Sequence, residues 1–425
     1  VAATILGQPS AAIEQIAVPP SRQQGLDMIL IDEDAMPPEP ELARASAAEE
    51  DVSWSGAAID LRSPVHHLYG DMRRHLERYR DRWGQLPQVL VSSQGPAIGT
   101  GSADPRIPAL RHRLGLPRQG GFDAALRSRL SEYQQAHGLR ADGKAGPETI
   151  ASLNKGAAHF ERVILVNMER ARRLPAPGFA GRYLLVDAGS ARLWMYENGQ
   201  PVGSMKVVVG APDSETPMMA ALMRFSSVNP YWNVPTDLTA RLIAPRVLAD
   251  GPTYLADRGY QVLDGWTEDA GLVDPATVDW RAVAAGDVEL RVRQLPGGGN
   301  SMGEIKFMMP NEYGIYLHDT PGKALFDKDE RWVSNGCVRV EDARRLAKWL
   351  YGYMPTGRSA DREERVDLED PVPVYITYFT IAADGDSLSF RNDRYGRDAS
   401  LLARFRAEDS RMVDPDEQFR RAMTL

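Results

Sequence analysis

Ile315-Tyr316-Leu317-His318-Asp319-Thr320-Pro321, followed by Ser334-Asn335-Gly336-Cys337-Val338-Arg339-Val340, is the stretch that decides how this chain folds and what it does. Side chains alternate along a strand, so Ile315 and Leu317 share one face and Tyr316 and His318 the other, with the polar chemistry on one side. Cys337 is the only cysteine in 425 residues and comes 19 residues after His318, behind a turn at Gly336 and ahead of a helix whose first turn holds Glu341 and Asp342. A thiol ionises near pH ~8.5, so at neutral pH it needs a base or a cation beside it to become a good nucleophile. His318 is the candidate base. The helix starts several residues too late to activate the thiol by its dipole. Backbone N–H groups around Gly336 and Cys337 are candidate donors to an oxyanion, each worth about 3–4 kcal/mol of barrier. Taken alone, the pair reads as a small buried hydrophobe and a hydrogen-bonded strand histidine; the residues around it reverse that.

Working outward, the spacing predicts strands at 183–186, 192–197 and 205–209, the last two joined by an Asn198-Gly199 turn, whose residues suit the positive φ of a tight hairpin. A β-rich domain over 179–395 is expected, closing with a strand over 371–380 and interrupted at 234–302 by an irregular, mixed insertion of a length that suggests a lid. Its aromatics Tyr254, Tyr260 and Trp266 are expected to form the lid's own small core. Upstream, apolar residues at Leu68, Met72, Leu76, Tyr79 and Trp83 have amphipathic-helix spacing, and a further helix is expected over 160–174. These give a helical scaffold in two parts, 61–100 and 157–178. Between them, 101–156 holds short helical patterns separated by Gly-containing turns, with His137 read as a structural residue. Residues 1–60, rich in Pro, Ala, Glu and Asp, read as an extended arm or linker, and 396–425 as a tail.

Composition narrows the function. The length implies two or three folded units. A hydrophobic content of 43%, with 25% charged residues, is that of a globular chain. The net charge of −8 and the short, apolar-interleaved arginine runs argue against a nucleic-acid partner. No apolar run approaches the ~18–20 residues that cross a bilayer. With one cysteine there is no internal disulfide, and His318, Asp319 and Cys337 lack a partner set for zinc, so neither metal nor cofactor is expected.

His318 with Thr320-Pro321, and Cys337 within Ser334-Asn335-Gly336-Cys337-Val338-Arg339, resemble the signature of the L,D-transpeptidase (YkuD-type) family. Asn229-Pro230-Tyr231-Trp232-Asn233-Val234-Pro235 and residues 210–217 are similar to substrate-side segments of its large, lid-bearing branch. Residues 104–154 resemble the small three-helix peptidoglycan-binding domain of wall enzymes. The resemblance implies an α+β multidomain fold: a β-rich YkuD-like catalytic domain with an inserted lid subdomain, plus the three-helix domain on its helical scaffold. It implies that Cys337 attacks the third residue of a peptidoglycan tetrapeptide stem and expels D-Ala, and that His318 then activates the acceptor amine to give a 3-3 cross-link. Carbapenem-type β-lactams are the implied covalent inhibitors, and the periplasm the implied location, the chain as given containing no signal segment. An L,D-carboxypeptidase, or a wall-binding scaffold protein without activity, are the alternatives. Gly336, Asn335, Ser334, Arg339, Tyr316, Trp232 and Tyr231 are the candidate oxyanion and substrate residues. Arg339 either steadies a substrate carboxylate or pairs with Glu341 or Asp342, Ser334 holds the turn, and Tyr231 and Trp232 line the groove. The sequence departs from the wider family at Asn335, where a second histidine is frequent. His318 is thus left as the one base, its ring oriented by a backbone carbonyl or Tyr316.

Overall fold

The computed structural model describes residues 65–176, 178–267, 269–385 and 387–409. The arm expected at 1–60 and the last part of the expected tail lie outside them. The chain divides into two units: Trp232–Leu295 with Asn311–Gly314, and a larger unit carrying the remaining described residues.

The larger unit begins with helices. α1 (His67–Tyr79) buries Met72, Leu76 and Tyr79, the face its spacing predicts, and ends in a π turn over Arg80–Gly84. Three short helices follow, α2 (Ile107–Arg113), α3 (Ala124–Ala136) and α4 (Pro147–Lys155), and then α5 (Ala157–Arg172), which packs back on α1. The Asp123 side chain caps α3 by accepting from the Leu126 N–H. His137 is structural. Its Nδ1 donates to the Tyr133 carbonyl at 2.7 Å, its Nε2 accepts from the Tyr79 hydroxyl at 3.1 Å, and its ring stacks on Tyr133.

β1 (Arg182–Asp187), β2 (Arg192–Glu197), β3 (Gln200–Gly210) and β4 (Met219–Val228) follow. Asn198 and Gly199 both have positive φ, the conformation the β2–β3 turn was expected to need. The chain then enters the smaller unit. There β5 (Trp232–Val234), β6 (Tyr260–Leu263), β7 (Leu272–Val273) and β8 (Arg291–Gln294) form a sheet in the order β5-β8-β6-β7. Its core gathers Val234, Leu238, Ile243, Val262, Trp280 and Val292, with Tyr254 and Tyr260 packed against it. The insertion is therefore more regular than its sequence suggests. Trp266 lies under the Arg291 guanidinium instead of joining that core.

Back in the larger unit, β9 (Ile305–Met308), β10 (Leu317–His318), β11 (Trp332–Ser334), β12 (Val338–Val340) and β13 (Glu364–Thr377) complete a sheet ordered β11-β3-β12-β10-β9-β4-β13-β1-β2. Because β2 also pairs with β3, the sheet closes on itself as a β-rich barrel, with no open edge along most of its circumference. β13 is longer than the expected closing strand, and β4 and β9 were not anticipated. α6 (Ala343–Tyr351) crosses after β12, capped by Asp342. A hairpin of β14 (Ile381–Asp384) and β15 (Ser387–Phe390) then returns to the helices, where the Phe390 ring stacks on His137. α7 (Arg397–Asp409) ties to α5 through a buried Arg170–Asp398 ion pair at 2.6 Å, so the expected tail begins as a docked helix.

Candidate active site

Three neighbouring strands set out the site. β10 runs antiparallel to β9 and parallel to β12, so Lys306, His318 and Arg339 occupy one rung, continued by Ser227 on β4 and Val208 on β3. Cross-strand partners project to the same face. One step back, the Val338 N–H binds the Tyr316 carbonyl at 3.1 Å, and Cys337, half-buried, enters β12 two residues before Arg339. Tyr316, His318, Cys337 and Arg339 are thus gathered by register.

His318 is 2% exposed, and its Nδ1 lies 2.5 Å from the backbone carbonyl of Asp319. A carbonyl only accepts, so Nδ1 carries the proton and, in the neutral ring, Nε2 keeps its lone pair. Burial first, then the Arg339 charge, lowers the His318 pKa to about 3. The Asp319 carboxylate does not orient the ring: it accepts from the Glu304 N–H and pairs with Lys323 at 2.7 Å. Burial and the adjacent Cys337 push the Tyr316 phenol well above its usual range, so it stays protonated and donates to Cys337.

Arg339 has no ion-pair partner among the described residues, and its Nε is buried without a hydrogen bond. The pairing with Glu341 or Asp342 that its sequence position allows is not formed. Glu341 accepts from the Lys206 N–H at 2.9 Å, and Asp342 caps α6 through the Arg345 N–H. Burial lowers the Arg339 pKa, while Cys337 and Tyr316 pull it up.

The turn before Cys337 is held by side chains. Ser334 Oγ donates to the Cys337 carbonyl at 2.7 Å and accepts from the Gly336 N–H at 3.2 Å. Thr216, fully buried, donates to the Gly336 carbonyl at 2.6 Å and accepts from the Gly210 N–H at 2.9 Å. Gly336 has φ +113°, which a residue with a side chain resists. The Gly336 N–H, one of the expected oxyanion donors, is engaged by Ser334 Oγ in this structure. Asn335 is exposed at the tip of the turn.

Tyr231 is half-buried in the larger unit. Its N–H donates to Glu363 at 2.6 Å and its carbonyl accepts from Lys306 Nζ at 3.1 Å. Trp232 belongs to the smaller unit, where it packs against that unit's core beside Tyr260, so the expected pairing of Tyr231 and Trp232 as one groove wall is divided between the units. Sequence analysis missed Lys306 and Thr216. Lys306 is 4% exposed and pairs with Glu363 at 3.2 Å; its signal was a single lysine inside the apolar run 305–309. Thr216 lies within the 210–217 segment but has no distinguishing pattern. Among the described residues no group of three His, Cys, Asp or Glu side chains is placed to hold a metal ion.

Comparison with known proteins agrees with this geometry. Residues 181–376 match the L,D-transpeptidase catalytic domain family (YkuD), and residues 110–153 match the family described as "Putative peptidoglycan binding domain". A Haemophilus influenzae protein described as "Putative L,D-transpeptidase" is 31% identical over 251 residues, 57% of this chain and 50% of the relative. The chain thus spans about half the length of that curated relative. An L,D-transpeptidase structure from Mycobacterium smegmatis overlaps 47% of this chain and 59% of its own at 12% identity and a TM-score of 0.24. One from Xylanimonas cellulosilytica overlaps 67% and 99% at 17% identity and a TM-score of 0.19. Overlaps this slight carry no argument. The match over the barrel strands, with His318 and Cys337 inside it, assigns residues 181–376 to the L,D-transpeptidase catalytic domain family, alongside a peptidoglycan binding domain at 110–153.

Proposed function

We propose that the chain is a peptidoglycan L,D-transpeptidase that forms 3-3 cross-links through a thioester on Cys337. The observation that carries this is the fixed His318 tautomer, which leaves Nε2 its lone pair, on a strand paired with the one that Cys337 enters, where Tyr316 and Arg339 interact with the thiol. Because burial and Arg339 keep the imidazole neutral, the resting pair is thiol and imidazole, and proton transfer accompanies attack. The Cys337 proton passes to Nε2 as sulfur bonds to the carbonyl carbon of the third stem residue. The C–N bond to D-Ala breaks, and the leaving amine takes the proton back. An acceptor amine then gives a proton to Nε2 and attacks the thioester; the new amide forms, the C–S bond breaks, and the thiol is restored. The Tyr316 hydroxyl supports the sulfur as charge develops, and Arg339 remains available to a substrate carboxylate.

Hydrolysis of the same thioester would make the chain an L,D-carboxypeptidase. Incubation with purified tetrapeptide muropeptides separates the two: 3-3 dimers with released D-Ala support transpeptidation, while tripeptides alone at high acceptor concentration refute it. No D-Ala release at all would leave a wall-binding scaffold. The substrate belongs to the cell envelope, so we assign the chain to the periplasm, and a thioester-forming cysteine makes carbapenem-type β-lactams its expected covalent inhibitors.

A further inference from the structure

A cleft of about 340 Å³ opens on the larger unit away from the reacting residues, lined by Ser190, Arg192, Trp332, Arg391, Asn392 and Arg394. Among the described residues three guanidiniums line it and no carboxylate does. The nearby charges can be counted. Arg391 pairs with Asp187 at 3.0 Å, and that buried carboxylate is further saturated by Ser190 Oγ and the Gly189 and Phe379 N–H groups. Arg394 donates to both oxygens of Glu330, at 2.7 and 2.8 Å, and that carboxylate is 68% exposed, so a ligand carboxylate at Arg394 takes the place of Glu330. Among the described residues Arg192 has no carboxylate partner and donates to Ser204 Oγ. Behind the cleft, Arg331 donates to the Ser190 and Ala191 carbonyls while its Nε stays buried without a partner. Asp329, Glu330 and Glu341 act on Arg331 only at a distance. The cleft is left with surplus positive charge and at least one guanidinium whose planar fork is unfilled.

Trp332 adds a second element. Its indole N–H is committed to the Ala188 carbonyl at 2.7 Å, so the ring offers a face, over which Arg394 lies at 4.1 Å. Trp332 also opens β11, whose last residue, Ser334, braces the Cys337 turn. Five residues of extended chain span at most about 18 Å, so the cleft lies within one short peptide's length of the thiol.

We propose that this cleft is a second wall-binding site, which holds a stem-peptide carboxylate between Arg192 and Arg394 and the adjoining saccharide or aliphatic surface against Trp332. The assignment of the ligand rests on the proposed function. Arg–carboxylate recognition is bidentate and directional, and an aromatic face beside it suits an amphipathic wall fragment better than a free inorganic anion. Docking there would keep a neighbouring stem close to Cys337 through successive turnovers.

The test uses the full chain carrying Cys337→Ala, with ¹⁵N-labelled tryptophan and the Trp332 indole resonance assigned through Trp332→Phe. A disaccharide-tetrapeptide is titrated in, and separately the same fragment with its carboxylates amidated. The expected result is a saturable Trp332 shift, weakened at least tenfold by Arg192→Ala or Arg394→Ala and by amidation. Each arginine variant with Cys337 intact should be acylated by a carbapenem within twofold of the unmodified rate. A Trp332 resonance unmoved at millimolar fragment, or moved equally by the amidated fragment, overturns the cleft while Cys337 acylation still stands. Failure of the unmodified protein to be acylated would instead count against the proposed function, whatever the cleft does.

Discussion

Four histidines of the larger unit are buried with lowered pKa values, three of them strongly, and this makes the fold sensitive to acid in a defined window. The pKa values of His66, His137 and His318 are each lowered from 6.5 to about 3, with burial the leading cause. In the unfolded chain these rings take up protons near 6.5, while in the folded chain they do not until about pH 3. The stability they leave intact above 6.5 is therefore lost as pH falls through that interval. Each costs roughly 1.4 kcal/mol per pH unit once well below 6.5, so the three together give a slope of about 4 kcal/mol per unit. Between pH 7 and 5.5 the loss comes to about 4 kcal/mol, a large share of the 5–15 kcal/mol that holds a typical domain together. His75, also lowered, acts in the same direction; Asp398, whose carboxyl is pushed up by burial, acts in the opposite one. Urea unfolding at pH 7.5, 6.5, 5.5 and 5.0 reads the slope, and ¹³C-labelled histidine reads the individual rings. His66, His137 and His318 should show no titration above pH 5. A stability flat across this range, or a His318 ring titrating near 6.5, would refute the reasoning and with it the neutral resting base.

Thr216→Val strips the hydroxyl that links Gly336 to Gly210, leaving a buried carbonyl and a buried N–H unpaired at about 1–3 kcal/mol each, and it should slow Cys337 acylation at least tenfold while Thr216→Ser restores it. Stopped-flow acylation rates read this directly. Arg339→Gln removes a charge that no carboxylate of the described chain balances; it should raise the His318 pKa, seen by NMR, and raise KM for stem peptides more than it changes folding. Gly138→Ala places a Cβ 1.8 Å from the Phe390 carbonyl at φ +67°, and it should destabilise the packing of the β14–β15 hairpin on α3 by about 3 kcal/mol or more, measured by urea unfolding.

The local patterns were legible where one physical rule acted alone. Positive φ at Asn198-Gly199 set the β2–β3 turn, the spacing of Met72, Leu76 and Tyr79 set α1, and alternation placed Tyr316 and His318 together. A backbone carbonyl as the His318 anchor was among the open alternatives because a strand turns the Asp319 side chain away, and the structure shows it to be that of Asp319. What stayed hidden depended on long-range closure. Lys306 reaches the His318 rung only once β9 inserts between β4 and β10. Thr216 meets Gly336 across 120 residues. The Gly336 N–H looked available until Ser334 turned its hydroxyl inward, a rotamer that spacing does not reveal. The smaller unit's sheet was illegible because its strands run for two to four residues, too short for alternation to register.

The central claim is that Cys337 is the nucleophile and His318 its base. Its most direct test is the intact mass of the chain after incubation with a carbapenem, followed by peptide mapping, in parallel with Cys337→Ala and His318→Ala. The account predicts one adduct per chain on the peptide bearing Cys337, absent from Cys337→Ala and formed at least a hundredfold more slowly in His318→Ala. An unmodified chain that gains no mass, or an adduct that persists in Cys337→Ala, would contradict it.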